Sequence, residues 1–316
     1  ELFEKYVNYK DDYVIMASRG CVFSCSYCCE SYVNKLYNNK YYRRRGVDSI
    51  MEELNVMKKR YGFREVMFND ALFFTDKKWL GGLLARYKKE IGVPFRCFGK
   101  INYFDEEIGR LLVDSGCYSI EFGMQTVNEP LKRKVLHRNE TNKRALEVFK
   151  LCDKLKIRYD VDHMFGLPRE TIDDHIAAVR FYRGLKYLNR VKCHNLTYFP
   201  NMEILGDAQR EGLIDESDIN NIKKGVVGDF FHCHSLKNNP CAGVNKSFNI
   251  LLKILPLLSP AAVSWILAHK RYRALRFIPT FLVIPLQLVV ALKSRDYRFI
   301  IYFKYYPLRV KRALFG

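Results

Sequence analysis

The strongest constraint on how this 316-residue chain can fold is an alternation that runs through its first two thirds. Short apolar runs suited to strands occupy residues 65–69, 95–100, 119–124, 158–165 and 191–198, and a sixth, 13–17, precedes them. Between them lie stretches of helical period at 76–91, 105–115, 139–156, 171–186 and 203–211. Asp48 is read as the cap of a further helix over 49–59, and Tyr41-Tyr42-Arg43-Arg44-Arg45 as a polar connection. Strand and helix alternating at this spacing imply βαβ units with parallel strands and right-handed crossovers. Six units are too few to close an eight-stranded barrel. The expected fold class is therefore α/β, a partial (β/α)6 TIM-like barrel over 1–215. A helical, basic and hydrophobic C-terminal extension is expected over 216–316. In such barrels the functional groups gather at the C-terminal ends of the strands.

The first of those ends carries Cys21-Val22-Phe23-Ser24-Cys25-Ser26-Tyr27-Cys28. Thiolates are the usual ligands of iron-sulfur clusters, and three on one tight loop can hold three corners of a cubane. The remaining iron is then open to chelation by a small molecule, as open sites on catalytic metals are. A structural zinc site wants four ligands, usually as two pairs, and only one close Cys-x-x-Cys is present here. A ferredoxin-type run would bring a fourth cysteine a few residues on. Here Cys29 is adjacent to Cys28, and the next cysteine is Cys97.

With an aromatic residue just before its third cysteine, this loop resembles that of the radical S-adenosylmethionine (SAM) superfamily. The other strand ends extend the resemblance to about residues 10–215. Asn69 and Asp70 stand where that family hydrogen-bonds the methionine amine, although it usually has two aspartates there. Gly123-Met124-Gln125 resembles its glycine-plus-Glu/Gln segment, with Gln125 a candidate for the ribose hydroxyls. Gly166-Leu167-Pro168-Arg169-Glu170-Thr171 resembles its Gly-Leu-Pro turn, and Tyr198-Phe199-Pro200 follows at the sixth strand. The resemblance implies a 4Fe-4S cluster on Cys21, Cys25 and Cys28. It also implies SAM on the fourth iron, Tyr27 beside the adenine, and Gly123, Met124, Gln125, Gly166, Leu167 and Pro168 lining SAM. Arg138 is a candidate partner for the SAM carboxylate.

Ser18-Arg19-Gly20-Cys21 points to the group within the superfamily that carries a cobalamin-binding domain ahead of the barrel. Cobalamin is thus a further candidate cofactor. Its Asp-x-His-x-x-Gly signature is not matched, because Val161 precedes His163 and Gly166 where the Asp should stand. The expected alternatives are a fragment of a longer protein or a member that works without cobalamin.

The formal charge of +19 predicts an anionic partner. Much of it lies in the tail, where residues 245–316 hold thirteen Lys and Arg against Asp296 alone. Two uncharged runs of sixteen, 254–269 and 277–292, each carry two prolines and fall short of the roughly twenty residues of a spanning helix. This pattern predicts a helix pair on an anionic membrane surface, the alternative being a cap packed on the barrel. No recognised RNA-binding module appears, so nucleic acid is disfavoured. No secretory leader is read ahead of the cysteines, so a cytoplasmic location on the inner face of the cell membrane is expected. Cys97, Cys117, Cys152 and Cys193 read as small core residues. Phe231-His232-Cys233-His234 with Cys241 has metal-ligand residue types but no second Cys-x-x-Cys pair.

The expected function is a radical SAM enzyme fed electrons by a flavodoxin or ferredoxin. It would cleave SAM to a 5′-deoxyadenosyl radical and methylate or cyclise an unactivated carbon of a lipid, isoprenoid or tetrapyrrole. An RNA-modifying radical enzyme and a noncatalytic iron-sulfur electron carrier are the competing readings.

Overall fold

In the computed structural model, which describes residues 12–225, 241–294 and 296, the alternation becomes one six-stranded parallel sheet. Strand β1 (Asp12–Ile15) leads through β2 (Ser18–Arg19) and the cysteine loop to α1 (Cys29–Leu36), β3 (Arg43–Arg44) and α2 (Val47–Tyr61). Then follow β4 (Glu65–Phe68), α3 (Lys77–Glu90), β5 (Phe95–Gly99), α4 (Glu106–Asp114), β6 (Cys117–Gln125), α5 (Glu129–Lys134) and α6 (Asn142–Leu155). Strand β7 (Arg158–Phe165), α7 (Ile172–Tyr182) and β8 (Leu188–Asn195) complete the barrel portion. The strand order β1-β4-β5-β6-β7-β8 leaves β1 and β8 as edges, which makes the barrel partial.

The helix starts follow from local chemistry. Asp76, Asp105 and Thr141 each accept a hydrogen bond from a backbone N–H of the first turn, and Thr171 with Asp174 forms a reciprocal capping box. The Asp48 expectation needs correction, because α2 begins at Val47 with Gly46 as its cap. Asp48 sits instead in the first turn, where its charge faces the positive end of the helix. The connection 41–45 also differs from expectation. Arg43 and Arg44 pair antiparallel with Arg19 and Ser18, a two-residue ladder too short to leave a period in the sequence.

One face of the sheet packs on the helices through Ile15, Val66, Phe68, Phe95, Cys97, Ile120, Phe122, Tyr159 and Val161, all buried in the main core. By strand alternation Arg96, Glu121, Asp160 and Lys192 lie on the other face. There Arg96 pairs with Asp12 and Glu65, and Lys192 with Glu121 and Asp160. The concave side is thus ionic. A second apolar cluster, including Leu131, Leu136, Met164, Leu167, Leu196 and Met202, lies at the strand ends, where Tyr27 and Tyr32 pack against it.

Beyond the barrel come α8 (Glu203–Arg210), α9 (Glu216–Lys223), α10 (Ala242–Ile254), α11 (Pro260–Ala268) and α12 (Thr280–Lys293). Phe248, Leu251, Leu252, Leu255, Val263, Leu267 and Tyr272 belong to the main core. On α7, His175 bonds Asn245 at 3.1 Å and packs on Phe248 with ring centroids 5.0 Å apart. Of the two expectations for the tail, the cap packed on the barrel describes its inner side, which is built into the barrel's core. Each large apolar side chain so buried contributes about 1.5–3 kcal/mol.

Candidate active site

The cysteine loop is set by the chain before it. The Asp70 carboxylate, just after β4, accepts hydrogen bonds from the Ala17 N–H (3.2 Å), the Ser18 N–H and the Ser18 hydroxyl (2.6 Å). Burial raises its pKa, and those hydrogen bonds from Ser18 and Ala17 oppose the rise. Gly20 then turns the chain with φ +83°, and a Cβ there would lie 2.6 Å from Cδ1 of Tyr41. Only glycine meets both conditions.

Within the loop, the Ser26 N–H donates to the Leu136 carbonyl (3.3 Å) and its hydroxyl to the Val135 carbonyl. The Ser26 carbonyl accepts from the Ile204 N–H of α8 (3.2 Å). The Ser31 hydroxyl donates to the carbonyls of Cys28 (2.6 Å) and Cys25 (2.8 Å). The thiols are thereby presented from a braced backbone. Cys25 is buried, Cys21 and Cys28 are half-buried, and Cys29 is exposed at the start of α1.

Burial pushes the Cys21 thiol up and the Cys28 thiol up to about 12, with a backbone N–H opposing each shift. Cys25 acts electrostatically on both, and Cys21 on Cys28, each opposing deprotonation of its neighbour on the same loop. Thiols raised as those of Cys21 and Cys28 are keep their protons until a metal displaces them. Among the described residues no three His, Cys, Asp or Glu side chains close around a single ion.

Two cations stand beside the loop. Arg138, a candidate for the SAM carboxylate, is bonded into the framework: it donates to the Tyr27 hydroxyl (2.8 Å), the Gly123 carbonyl (2.6 Å) and Glu140. These bonds tie the third cysteine's neighbour to β6 and use three of the five guanidinium N–H groups. Lys100, which follows β5, was missed from the sequence, where a strand-end lysine looks like any solvated charge. Its Nζ lies 4.4 Å from the Phe23 ring centroid, between the first two cysteines in sequence, and 3.9 Å from Glu140. Burial, then Arg138, lower its pKa against Glu140, Cys25 and Cys21.

Gly123 and Gln125 end β6 at a break in register, and Gln125 takes φ +63° there. A non-glycine residue in that region costs roughly 1–2 kcal/mol, the kind of strain that gathers at ligand sites. Gly166, at φ +81°, gives its N–H to Glu170 (2.7 Å) and its carbonyl to the Tyr198 hydroxyl (3.4 Å). Burial raises Glu170 to about 8 against the Gly166 and Leu167 N–H groups. Pro168 is buried and Asn69 exposed. Met124 and Leu167 are corrected: their side chains are buried in the two apolar clusters, which leaves only their backbone to meet a ligand. Glu170 was quoted in its motif without a role, and Ser26 and Ser31 left no signal, since serine is ordinary in a loop.

Residues 232–234 lie outside the described residues. Cys241 is buried, with its Sγ 3.5 Å from the Glu170 carbonyl. In keeping with the unmatched cobalamin signature, His163 is a core residue, buried 3.3 Å from the Tyr182 hydroxyl and packed on Phe165 and His175.

The family model described as the Radical SAM superfamily matches residues 15–182, just over half of the 316. An uncharacterized methyltransferase of Pyrococcus horikoshii is 27% identical over 173 residues, 54% of this chain and 37% of its own length. A bacteriochlorophyllide d C-8(2)-methyltransferase of Chlorobaculum tepidum is 23% identical over 215 residues, 65% of this chain and 46% of its own. The chain therefore spans less than half the length of these curated relatives. Among solved structures, the methyltransferase TsrM of Kitasatospora setae, bound to tryptophan and a SAM analogue, has a TM-score of 0.54 at 19% identity. That match covers 64% of this chain and 39% of TsrM. The cobalamin-dependent SAM radical enzyme OxsB also gives 0.54, at 12% identity over 96% of this chain and 56% of OxsB. At such identities the likeness is one of fold. Given the family match over β1 to α7 and the braced cysteine loop inside it, the chain belongs to the Radical SAM superfamily of enzymes.

Proposed function

We propose that this chain is the radical-generating part of a SAM-dependent methyltransferase acting on an unactivated carbon of a small molecule. The observation that carries it is the loop itself: three thiols at the C-terminal edge of a parallel sheet, held by Asp70, Ser26 and Ser31. Cys21, Cys25 and Cys28 would hold a 4Fe-4S cluster, leaving one iron for the amino and carboxylate groups of SAM. When bound and reduced by one electron, that pair supplies a 5′-deoxyadenosyl radical; the cofactors carry the hard chemistry.

The protein's part is to orient and to exclude water. Tyr27, held by Arg138, closes one side of the loop against the second apolar cluster. Lys100 puts positive charge where a carboxylate and an electron arrive. Gln125, in its left-handed turn, and the Gly166 backbone supply polar groups at neighbouring strand ends. Exposed Cys29 and Val22 leave one side of the loop open to an electron donor such as flavodoxin or ferredoxin. Cobalamin stays a candidate cofactor that residues other than the buried His163 would hold. Methylation is favoured over ring formation because both curated relatives described above are methyltransferases. The ionic concave face suits polar groups on the substrate, so an amphiphile such as a lipid, isoprenoid or tetrapyrrole fits better than a wholly apolar molecule.

The test is anaerobic reconstitution of the chain, reduction with dithionite, and assay of 5′-deoxyadenosine from SAM. Wild type and Cys29→Ala should form it, while Cys25→Ala should lose both the cluster absorbance and the product. Equal iron and turnover in Cys25→Ala would end this reading.

A further inference from the structure

The outer side of the extension exposes an apolar helix face that folding leaves unburied. On α12, Leu282, Pro285, Val289 and Leu292 are exposed at spacings of three and four residues, so they share one face. Val283, Val290 and Ala291 on the other side are buried. Elsewhere in the extension Trp265 of α11 is 53% exposed, and Phe277, just before α12, is 73% exposed. Arginines sit on both rings, Arg271 at 5.9 Å from the Trp265 centroid and Arg276 at 4.7 Å from that of Phe277. Lys270, Arg273 and Lys293 are exposed around them.

Charge selects the occupant. Residues 241–294 hold seven Lys and Arg and no Asp or Glu. A second copy docked face to face would bring like charge against like, which is unfavourable. Headgroups of anionic lipids supply the opposite sign, and aromatic rings capped by cations suit the boundary between headgroup and acyl chain. Among the described residues no helix is long and apolar enough to cross a membrane. The fourteen residues of α12 span about 21 Å, short of the roughly 30 Å hydrocarbon layer.

We propose that the outer face of α12, with Phe277 just before it, docks in the interface of an anionic bilayer while the inner side stays packed on the barrel. This goes beyond the proposed chemistry and is independent of it. Truncating the tail would not test it, because Phe248 and Leu251 belong to the main core. The experiment uses the whole chain and two substitutions on the exposed face, Val289→Asp with Leu292→Asp. Co-sedimentation is measured with vesicles of phosphatidylcholine alone or mixed with phosphatidylglycerol, with circular dichroism to check folding. Wild type should bind the mixed vesicles at least about tenfold better than neutral ones, and salt should release only part of it. The folded double variant should lose most of that binding. Equal binding by variant and wild type, or wild type staying in solution with anionic vesicles, would overturn the proposal. So would a wild-type dimer dispersed by the same substitutions in the absence of lipid.

Discussion

A carboxylate at a strand end can face a ligand or serve the fold, and Asp70 shows that its position alone does not say which. Three donors from Ala17 and Ser18 converge on it, so its work in the structure is to fix the corner that launches the cysteine loop. Arg138 is likewise occupied by Tyr27, Gly123 and Glu140. Lys100 remains beside Phe23. A positive charge several Å from a cluster favours its reduced form; at an effective dielectric of about 20 the energy is a few kcal/mol, discounted here for partial exposure. Lys100→Met should therefore move the cluster's midpoint to more negative potential by some tens of mV, and Lys100→Arg should restore most of it. Potentiometric titration followed by electron paramagnetic resonance, in protein without SAM, reads this directly. An unmoved midpoint in Lys100→Met would leave the lysine a packing role.

At the scale of elements, the turn after β7 couples the site to the extension. Glu170 takes the Gly166 N–H, its carbonyl meets the Cys241 thiol, and His175 of the adjoining α7 reaches Asn245 of α10. Burial raises Glu170 to about 8, so the folded state keeps a proton that the unfolded chain releases near its ordinary value of about 4.5. Stability from this group is present at low pH and lost as pH rises through that window. His163 and His175, pushed down by burial to about 3 and about 4, act in the opposite sense below about 6.5. Comparing wild type with Glu170→Gln separates the two effects. Between pH 5 and 8 wild type should lose about 1–3 kcal/mol relative to the variant in urea unfolding. Parallel pH profiles would mean that Glu170 ionises in the fold as it does in water.

For the whole molecule, the decisive feature is that barrel and extension share one core. Phe248→Ala should cost about 3–5 kcal/mol and lower the midpoint of a single cooperative transition, whereas separate units would leave the barrel's transition in place. The sequence by itself determined the parallel sheet, because period-2 and period-3.6 runs at βαβ spacing admit few other folds. It also displayed the Cys-x-x-x-Cys-x-x-Cys spacing that marks the family, since that motif is local and needs no partner from afar. Helix starts at Asp76, Asp105 and Thr171 were legible for the same reason, whereas the helix read from 139 starts at its Thr141 cap. Tertiary structure alone decided which strand-end polar residues are engaged in bracing the fold. That choice depends on partners distant in sequence: Ser18 for Asp70, Tyr27 for Arg138, Phe23 for Lys100. It also decided the fate of the tail. The sequence showed apolar runs with basic flanks but not which side of each helix the barrel would take. Packing of Phe248, Val263 and Leu267 settled that, because a helix face is buried or exposed only relative to its neighbours.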